Sequence, residues 1–149
     1  MEKEKQVNDL TTPLENYPHL PYWATLKEAF IQLNTAKEDG IDTILVFNEA
    51  YQLLGLLTQV DILRGIDSQW RKKSWAEIDI GKLLMKPIKE FMRSVRATID
   101  ADNTLGDALH LILTKDQPIL PVQERGKIIG VIRLDDIFQE IAGLVLSQK

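Results

Sequence analysis

The chain repeats itself. Residues 43–66, TILVFNEAYQLLGLLTQVDILRGI, align without a gap on residues 118–141, PILPVQERGKIIGVIRLDDIFQEI, at an offset of 75. Identities fall at Ile44/Ile119, Leu45/Leu120, Glu49/Glu124, Gly55/Gly130, Asp61/Asp136, Ile62/Ile137 and Ile66/Ile141. Upstream, Thr25-Leu26-Lys27-Glu28-Ala29 matches Thr104-Leu105-Gly106-Asp107-Ala108 at an offset of 79, which places four extra residues of the first copy near 35–42. A duplication within 149 residues demands two half-sized units. A unit of about 50–60 residues buries too little surface to be comfortably stable alone, so the two copies are expected to share a core.

Each copy has the same order of elements. Leu26, Ala29, Phe30 and Leu33 follow i, i+3, i+4, i+7, one face of an amphipathic helix, as do Leu105, Ala108, Leu109, Ile112 and Leu113. Thr25 and Thr104 stand where an N-cap belongs. Short apolar strands follow at 43–47 and 119–122, then turns at 48–50 and 124–126, then strands at 53–57 and 128–132. A last helix starts near Gln59 or Leu134, and in the second copy its apolar face is Ile137, Ile141, Leu144 and Val145. A short strand precedes the first helix, at Thr98 and Ile99 in the second copy. The boundaries read as an N-terminal extension over 1–16, a first repeat over 17–67, a structured connector over 68–86 and a second repeat over 87–149. The connector contains Trp70, Trp75 and the basic run Arg71-Lys72-Lys73, which suits a solvated segment. Packing in core or connector is expected for Trp23, Trp70 and Trp75, although a partner surface is the other use of such residues.

Composition removes several chemistries. With 18 Lys+Arg against 22 Asp+Glu the formal net charge is −4. That leaves no basic excess to displace counterions from nucleic acid. Zero cysteines exclude disulfides and thiolate chemistry, and two histidines, His19 and His110, are too few for a His-rich metal site. The charged start MEKEKQVNDL lacks the apolar stretch of a signal peptide, and no apolar run approaches the length of a membrane span. A soluble cytoplasmic protein without membrane contact is expected. No nucleophile–base pair, Gly-rich phosphate loop or metal-ligand spacing is found, so no enzyme activity is expected.

The segment from Ile88 to Ile141 resembles the cystathionine β-synthase (CBS) domain. The matches are Ile88, Lys89 and Met92 in the lead-in, Thr98, Ile99, Asp102, Thr104 and Leu105 at the next block, then Leu120-Pro121-Val122, Gly130 and Asp136. The first copy matches through Thr25-Leu26, residues 44–47 and the heptapeptide G-L-L-T-Q-V-D from Gly55 to Asp61. The resemblance implies an α+β fold of two pseudo-symmetric β-α-β-β-α repeats packed through their sheets, a tandem pair known as a Bateman module. It further implies clefts between the repeats that commonly bind AMP, ADP, ATP or S-adenosylmethionine, with no cofactor required for catalysis. Stand-alone pairs of this family often form homodimers.

Thr58 and Asp61 are three apart and straddle a strand-to-helix junction. By the resemblance Asp61 accepts hydrogen bonds from a ribose and Thr58 contacts sugar or phosphate, helped by the free N–H groups of the helix end. The same residues also serve as ordinary helix caps, and both readings stand. The second copy has Arg133 in the threonine position and keeps Asp136, with Asp135 beside it. Arg133 either holds a phosphate bidentately or pairs with a neighbouring carboxylate, the latter favoured by proximity. Thr98 and Arg96 complete that set. In the first copy the position of Thr98 is taken by His19, which contacts a ligand or lies in a surface turn between Pro18 and Pro21, and Thr43 is a further ligand candidate. The leading expectation is a non-catalytic sensor that binds an adenine nucleotide or related adenosyl ligand and signals to a partner protein. The alternative is a ligand-free dimeric scaffold for protein interaction with vestigial clefts.

Overall fold

The computed structural model describes residues 4–148. In chain order its elements are α1 (Val7–Leu10), β1 (Thr12–Pro13), β2 (His19–Pro21), α2 (Leu26–Ala36), β3 (Thr43–Phe47), β4 (Leu53–Thr58), α3 (Gln59–Lys72), α4 (Ile80–Leu84), β5 (Ile99–Asp100), α5 (Leu105–Lys115), β6 (Ile119–Glu124), β7 (Lys127–Arg133) and α6 (Leu134–Leu146). They form two compact units. Pro18–Val95 makes the first, and the described residues of Met1–Tyr17 and Arg96–Lys149 make the second.

Local chemistry sets the helix starts. The Thr25 hydroxyl accepts from the Glu28 N–H at 3.2 Å and the Thr104 hydroxyl from the Asp107 N–H at 3.1 Å, each satisfying a donor the helix cannot. In the first unit β2 runs parallel to β3, and β3 pairs antiparallel with β4, Thr43 opposite Thr58. β3 is buried along its whole length, which explains its unbroken apolar sequence. Leu26, Ala29 and Leu33 of α2 pack on Ile44, Val46, Leu57 and Ile62. The second unit has the strand order β1-β7-β6-β5, with Leu105, Ala108 and Ile112 of α5 packed on Leu120, Val122, Ile132 and Ile137. Both units are thus helix-on-sheet, as the α+β reading expects.

The extra residues of the first copy are divided. Val46 stands opposite Gly55 and Val122 opposite Gly130, so β3 and β6 correspond at an offset of 76 while β4 and β7 keep 75. The ungapped alignment is therefore one residue out along β3. Three of the four extra residues form a 3₁₀ turn at Lys37–Asp39, closed by Gly40 at φ 73°. The fourth lengthens the β3–β4 loop relative to the tight β6–β7 hairpin, where Arg125 and Gly126 adopt φ 53° and 78° as a two-residue primed turn requires. The two first helices have the same length, 11 residues, so the added turn is the 3₁₀ turn that follows α2 and not a longer α-helix.

The units also divide differently from the boundaries read from sequence. Residues assigned to an N-terminal extension belong to the second unit. Val7 lies in its core, Leu105 N–H donates to Lys5 O at 3.0 Å, and Val7 N–H donates to Asn103 O at 2.8 Å. Conversely, the lead-in assigned to the second repeat packs on the first. Leu26 N–H donates to Lys86 O at 2.9 Å, Ile88 N–H donates to Ala24 O at 2.8 Å, and Ile88 is fully buried. The reason is hydrophobic closure: burying an Ile or Val side chain stabilises by about 1.5–3 kcal/mol, and each core is completed by the lead-in that reaches it. The two lead-ins correspond at an offset of 81, Val7 to Ile88 and Thr12 to Arg93.

Each lead-in crosses its sheet against a glycine. Arg93 exchanges backbone hydrogen bonds of 2.9 Å with Leu56, and Thr12 and Pro13 pair with Val131 and Gly130. A Cβ on Gly55 would lie 2.6 Å from the Arg93 carbonyl oxygen, and one on Gly130 would lie 2.2 Å from that of Thr12.

Helix faces that continue the core pattern emerge onto the surface. On α6 only Ile137 is buried, while Ile141, Leu144 and Val145 are exposed, as are Leu134 and Phe138. Trp23 is 53% exposed and Trp70 also faces solvent, so of the expected packing in core or connector the core part is corrected for both; the side chain of Trp75 lies outside the described residues. Among the described residues no helix is long and apolar enough to cross a membrane. Gly130→Ala is expected to destabilise by about 1–3 kcal/mol, because its Cβ meets backbone that cannot yield cheaply. Gly143→Ala, where a Cβ meets nothing within 4 Å, is expected to leave the melting temperature unchanged or raise it; thermal unfolding of the two variants checks both.

Candidate functional site

The junction of β4 and α3 concentrates polar groups. Thr58 caps α3: its hydroxyl accepts from the Asp61 N–H at 3.1 Å, and the Asp61 carboxylate accepts from the Thr58 N–H at 3.0 Å. This is a reciprocal capping box, so the capping role read from sequence is present. The carboxylate does more. Arg93, delivered by the crossing lead-in, places Nε at 3.0 and 2.9 Å from the two Asp61 oxygens and Nη2 at 2.8 Å from Oδ1. The same Nη2 lies 3.4 Å from the Thr58 hydroxyl. The Asp61 side chain is 6% exposed and that of Arg93 37%. Burial alone would raise the Asp61 carboxyl, but the hydrogen bonds from Arg93 and from Thr58 outweigh it and hold it below its usual value. Thr43, fully buried, stands opposite Thr58 and donates to Asp42 Oδ1 at 3.0 Å. Thr43, Thr58 and Asp61 therefore do form one neighbourhood.

The second unit solves the same problem with the residues exchanged. Arg133 stands at the cap position and its N–H donates to Asp136 Oδ2 at 2.8 Å. Its guanidinium lies 3.6 Å from Asp136 Oδ1, so the ion pair expected from proximity is present and its partner is Asp136. On the lead-in, the place of Arg93 is held by Thr12. Threonine at the cap with arginine on the lead-in thus becomes arginine at the cap with threonine on the lead-in.

His19 lies in β2, not in a turn. Its ring meets Phe47 edge-on at 5.9 Å between centroids and Tyr51 at 6.2 Å, and its Nε2 is 3.4 Å from the Tyr51 hydroxyl. That cluster sits by Leu45 and the hairpin end of β3, away from the Thr43–Thr58 pair at the start of that strand. Thr98 lines a cavity of about 320 Å³ with Asp100, Asn103, Asp107, His110 and Gln123. Arg96 is exposed, and its position is fixed by Gln117, whose side-chain oxygen accepts from the Arg96 N–H at 2.9 Å while its amide donates to Ala97 O and Ile119 O. Sequence reasoning missed Arg93 and Gln117. Gln117 left no signal beyond being polar before a strand. Arg93 left one, since V-N-D-L-T-T at 7–12 and I-K-E-F-M-R at 88–93 share an apolar residue at the first and fourth positions and an acid at the third. Among the described residues no cluster of three or more His, Asp or Glu side chains is arranged to hold a metal ion.

Arg93→Ala removes the cation from a buried carboxylate. At pH 7 it is expected to destabilise by about 1–3 kcal/mol, below the 3–5 typical of a fully buried pair because the guanidinium is partly open to water. The folded Asp61 carboxyl is lowered from 3.8, so the pair stabilises above that pH and the contribution vanishes as pH falls through the folded value. Urea unfolding of both proteins should show a gap at pH 7 that closes on acidification below 3.8.

The profile of the CBS domain family matches residues 88–143. Two uncharacterized archaeal proteins are similar in sequence. One, from Methanopyrus kandleri, is 26% identical over 104 residues, 69% of this chain and 48% of that protein. The other, from Methanocaldococcus jannaschii, is 24% identical over 110 residues, 72% of this chain and 26% of that protein. The chain thus spans about half or less of these curated relatives. Among solved structures, the CBS-pair protein CBSX2 from Arabidopsis thaliana superposes with a TM-score of 0.73 at 20% identity, covering 98% of this chain and 100% of that one. A structure of CBSX2 in complex with AMP gives 0.70 at 22% identity over 96% and 98%. A CBS domain-containing protein of unknown function from Bacillus anthracis gives 0.72 at 20% identity over 93% and 94%. Residues 88–143 therefore match the CBS domain family, and nearly the whole chain has the fold of CBS-pair proteins.

Proposed function

We propose that the protein is a non-catalytic regulatory sensor of adenine nucleotides. The observation that supports this best is the Thr58–Asp61–Arg93 cluster at the start of α3, in a fold that CBSX2 presents in complex with AMP. Asp61 offers a carboxylate to sugar hydroxyls. Thr58 and Arg93 offer a hydroxyl and a guanidinium to phosphate, and the N-terminus of α3 adds its dipole. AMP, ADP, ATP and S-adenosylmethionine are the ligand candidates. The ligand shifts the population toward the conformation it grips best, and a partner protein reads that shift in the cytoplasm. The chain forms a homodimer through its exposed apolar helix surface, Leu134, Phe138, Ile141 and Val145 of α6. Those residues fall at i, i+4, i+7 and i+11 on one stripe, and leaving such a stripe in water is unfavourable.

A second reading, a ligand-free dimeric scaffold, draws on one observation: the Asp61 acceptors are already filled by Arg93 and the Thr58 N–H. Calorimetry with AMP, ADP, ATP and S-adenosylmethionine separates the two. Binding is expected at or below millimolar concentration, and Asp61→Ala should weaken it by at least about tenfold, the scale of one hydrogen bond to a charged group, with a smaller effect from Asp136→Ala. Absence of binding by all four compounds would leave only the scaffold. The dimer is checked by sedimentation: the wild type should run as a dimer, and Phe138→Glu should shift it toward monomer.

A further inference from the structure

We propose that Arg93 makes the first unit selective for a 5′-phosphorylated nucleoside over the unphosphorylated one, by requiring an anion in exchange for its release from Asp61. The inference rests on the nucleotide reading above and specifies its ligand. A carboxylate has about four acceptor sites, and Asp61 uses them on the Thr58 N–H and on three contacts from Arg93. The Thr58 donor is part of the capping box and leaves only if the first turn of α3 opens. The one donor set that can yield is the guanidinium, on a side chain 37% exposed.

Two ribose hydroxyls replacing that guanidinium are neutral. They would leave a carboxylate that is 6% exposed without its counter-charge, which is strongly unfavourable. A phosphate on the same ligand removes the penalty. It accepts the guanidinium bidentately and keeps the positive charge beside Asp61, with the Thr58 hydroxyl, 3.4 Å from Nη2, as a further polar group beside it. S-adenosylmethionine places a cationic sulfonium where the 5′-oxygen of AMP would be, and so presents the wrong sign to Arg93. The second unit lacks this device. Its arginine is Arg133, the cap residue itself, and its backbone N–H is bonded to the carboxylate that its side chain neutralises.

The test is calorimetric titration of the whole chain with AMP, adenosine and S-adenosylmethionine, for wild type, Arg93→Gln and Arg93→Lys, each first checked for cooperative thermal unfolding. The wild type is expected to bind AMP at least about tenfold more tightly than adenosine or S-adenosylmethionine. Arg93→Gln should close that gap, chiefly by losing affinity for AMP, and Arg93→Lys should retain part of it. Equal affinities in the wild type, or a gap that survives in Arg93→Gln, would overturn the selectivity and leave the nucleotide reading intact. Binding of none of the three to the wild type would overturn both.

Discussion

The antiparallel crossing of a lead-in over the last strand of each sheet governs much else in this protein. Backbone meets backbone at Gly55 and Gly130, where any side chain would collide with a carbonyl oxygen. The contact does three things at once. It satisfies donors and acceptors of Leu56 and Arg93 that would otherwise be buried without partners. It seats Val7 and Ile88 in the two cores. It also decides which residue hangs over the strand-to-helix junction, Arg93 in one unit and Thr12 in the other. The chemistry of each junction is therefore set by a segment distant in sequence.

Electrostatics explains why the two junctions differ in residues yet agree in outcome. An aspartate at the third helical position is useful to both helices, since it caps a free N–H and complements the helix dipole. Partly buried, it also needs a cation nearby, because an uncompensated carboxylate in low dielectric is unstable. Two positions can supply that cation, the cap and the lead-in. The first unit uses the lead-in and keeps threonine as cap. The second uses the cap and has threonine on the lead-in. Arginine at both would place two cations on one carboxylate, and arginine at neither would leave none.

Much of this was legible in the sequence, for identifiable reasons. Thr25, Thr104, Gly55, Gly130, Asp61 and Asp136 do local mechanical work, so they recur in both copies, Gly and Asp six apart in each, and the element order followed. The Arg133–Asp136 pair was readable because both members lie on one turn. What escaped depended on distant pairing. The one-residue slip between β3 and β6 is invisible to an ungapped alignment, because I-L in the first copy matches I-L in the second while the strands align Val46 with Val122. A slip of one reverses which face a side chain occupies, so only the pairing partners could reveal it. The assignment of each lead-in to a unit is likewise absent from local pattern, since Val7 and Ile88 suit either core. His19 was misplaced in a surface turn, whereas the extended path that Pro18 and Pro21 impose suits a strand at a sheet edge.

The residue exchange also bears on what a ligand can move. A ligand shifts an equilibrium only by the difference in its affinity for the two states. In the second unit the arginine is the cap residue itself, and both its backbone N–H and its guanidinium engage Asp136. In the first unit Arg93 is anchored by backbone to Leu56, so its side chain can change partners while the capping box of Thr58 and Asp61 stays closed. On the proposed reading the guanidinium has two partners, Asp61 in this structure and the phosphate of an added nucleotide. A contact that can exchange partners, on a segment tied to the sheet, is what a binding event needs in order to be felt beyond the binding site.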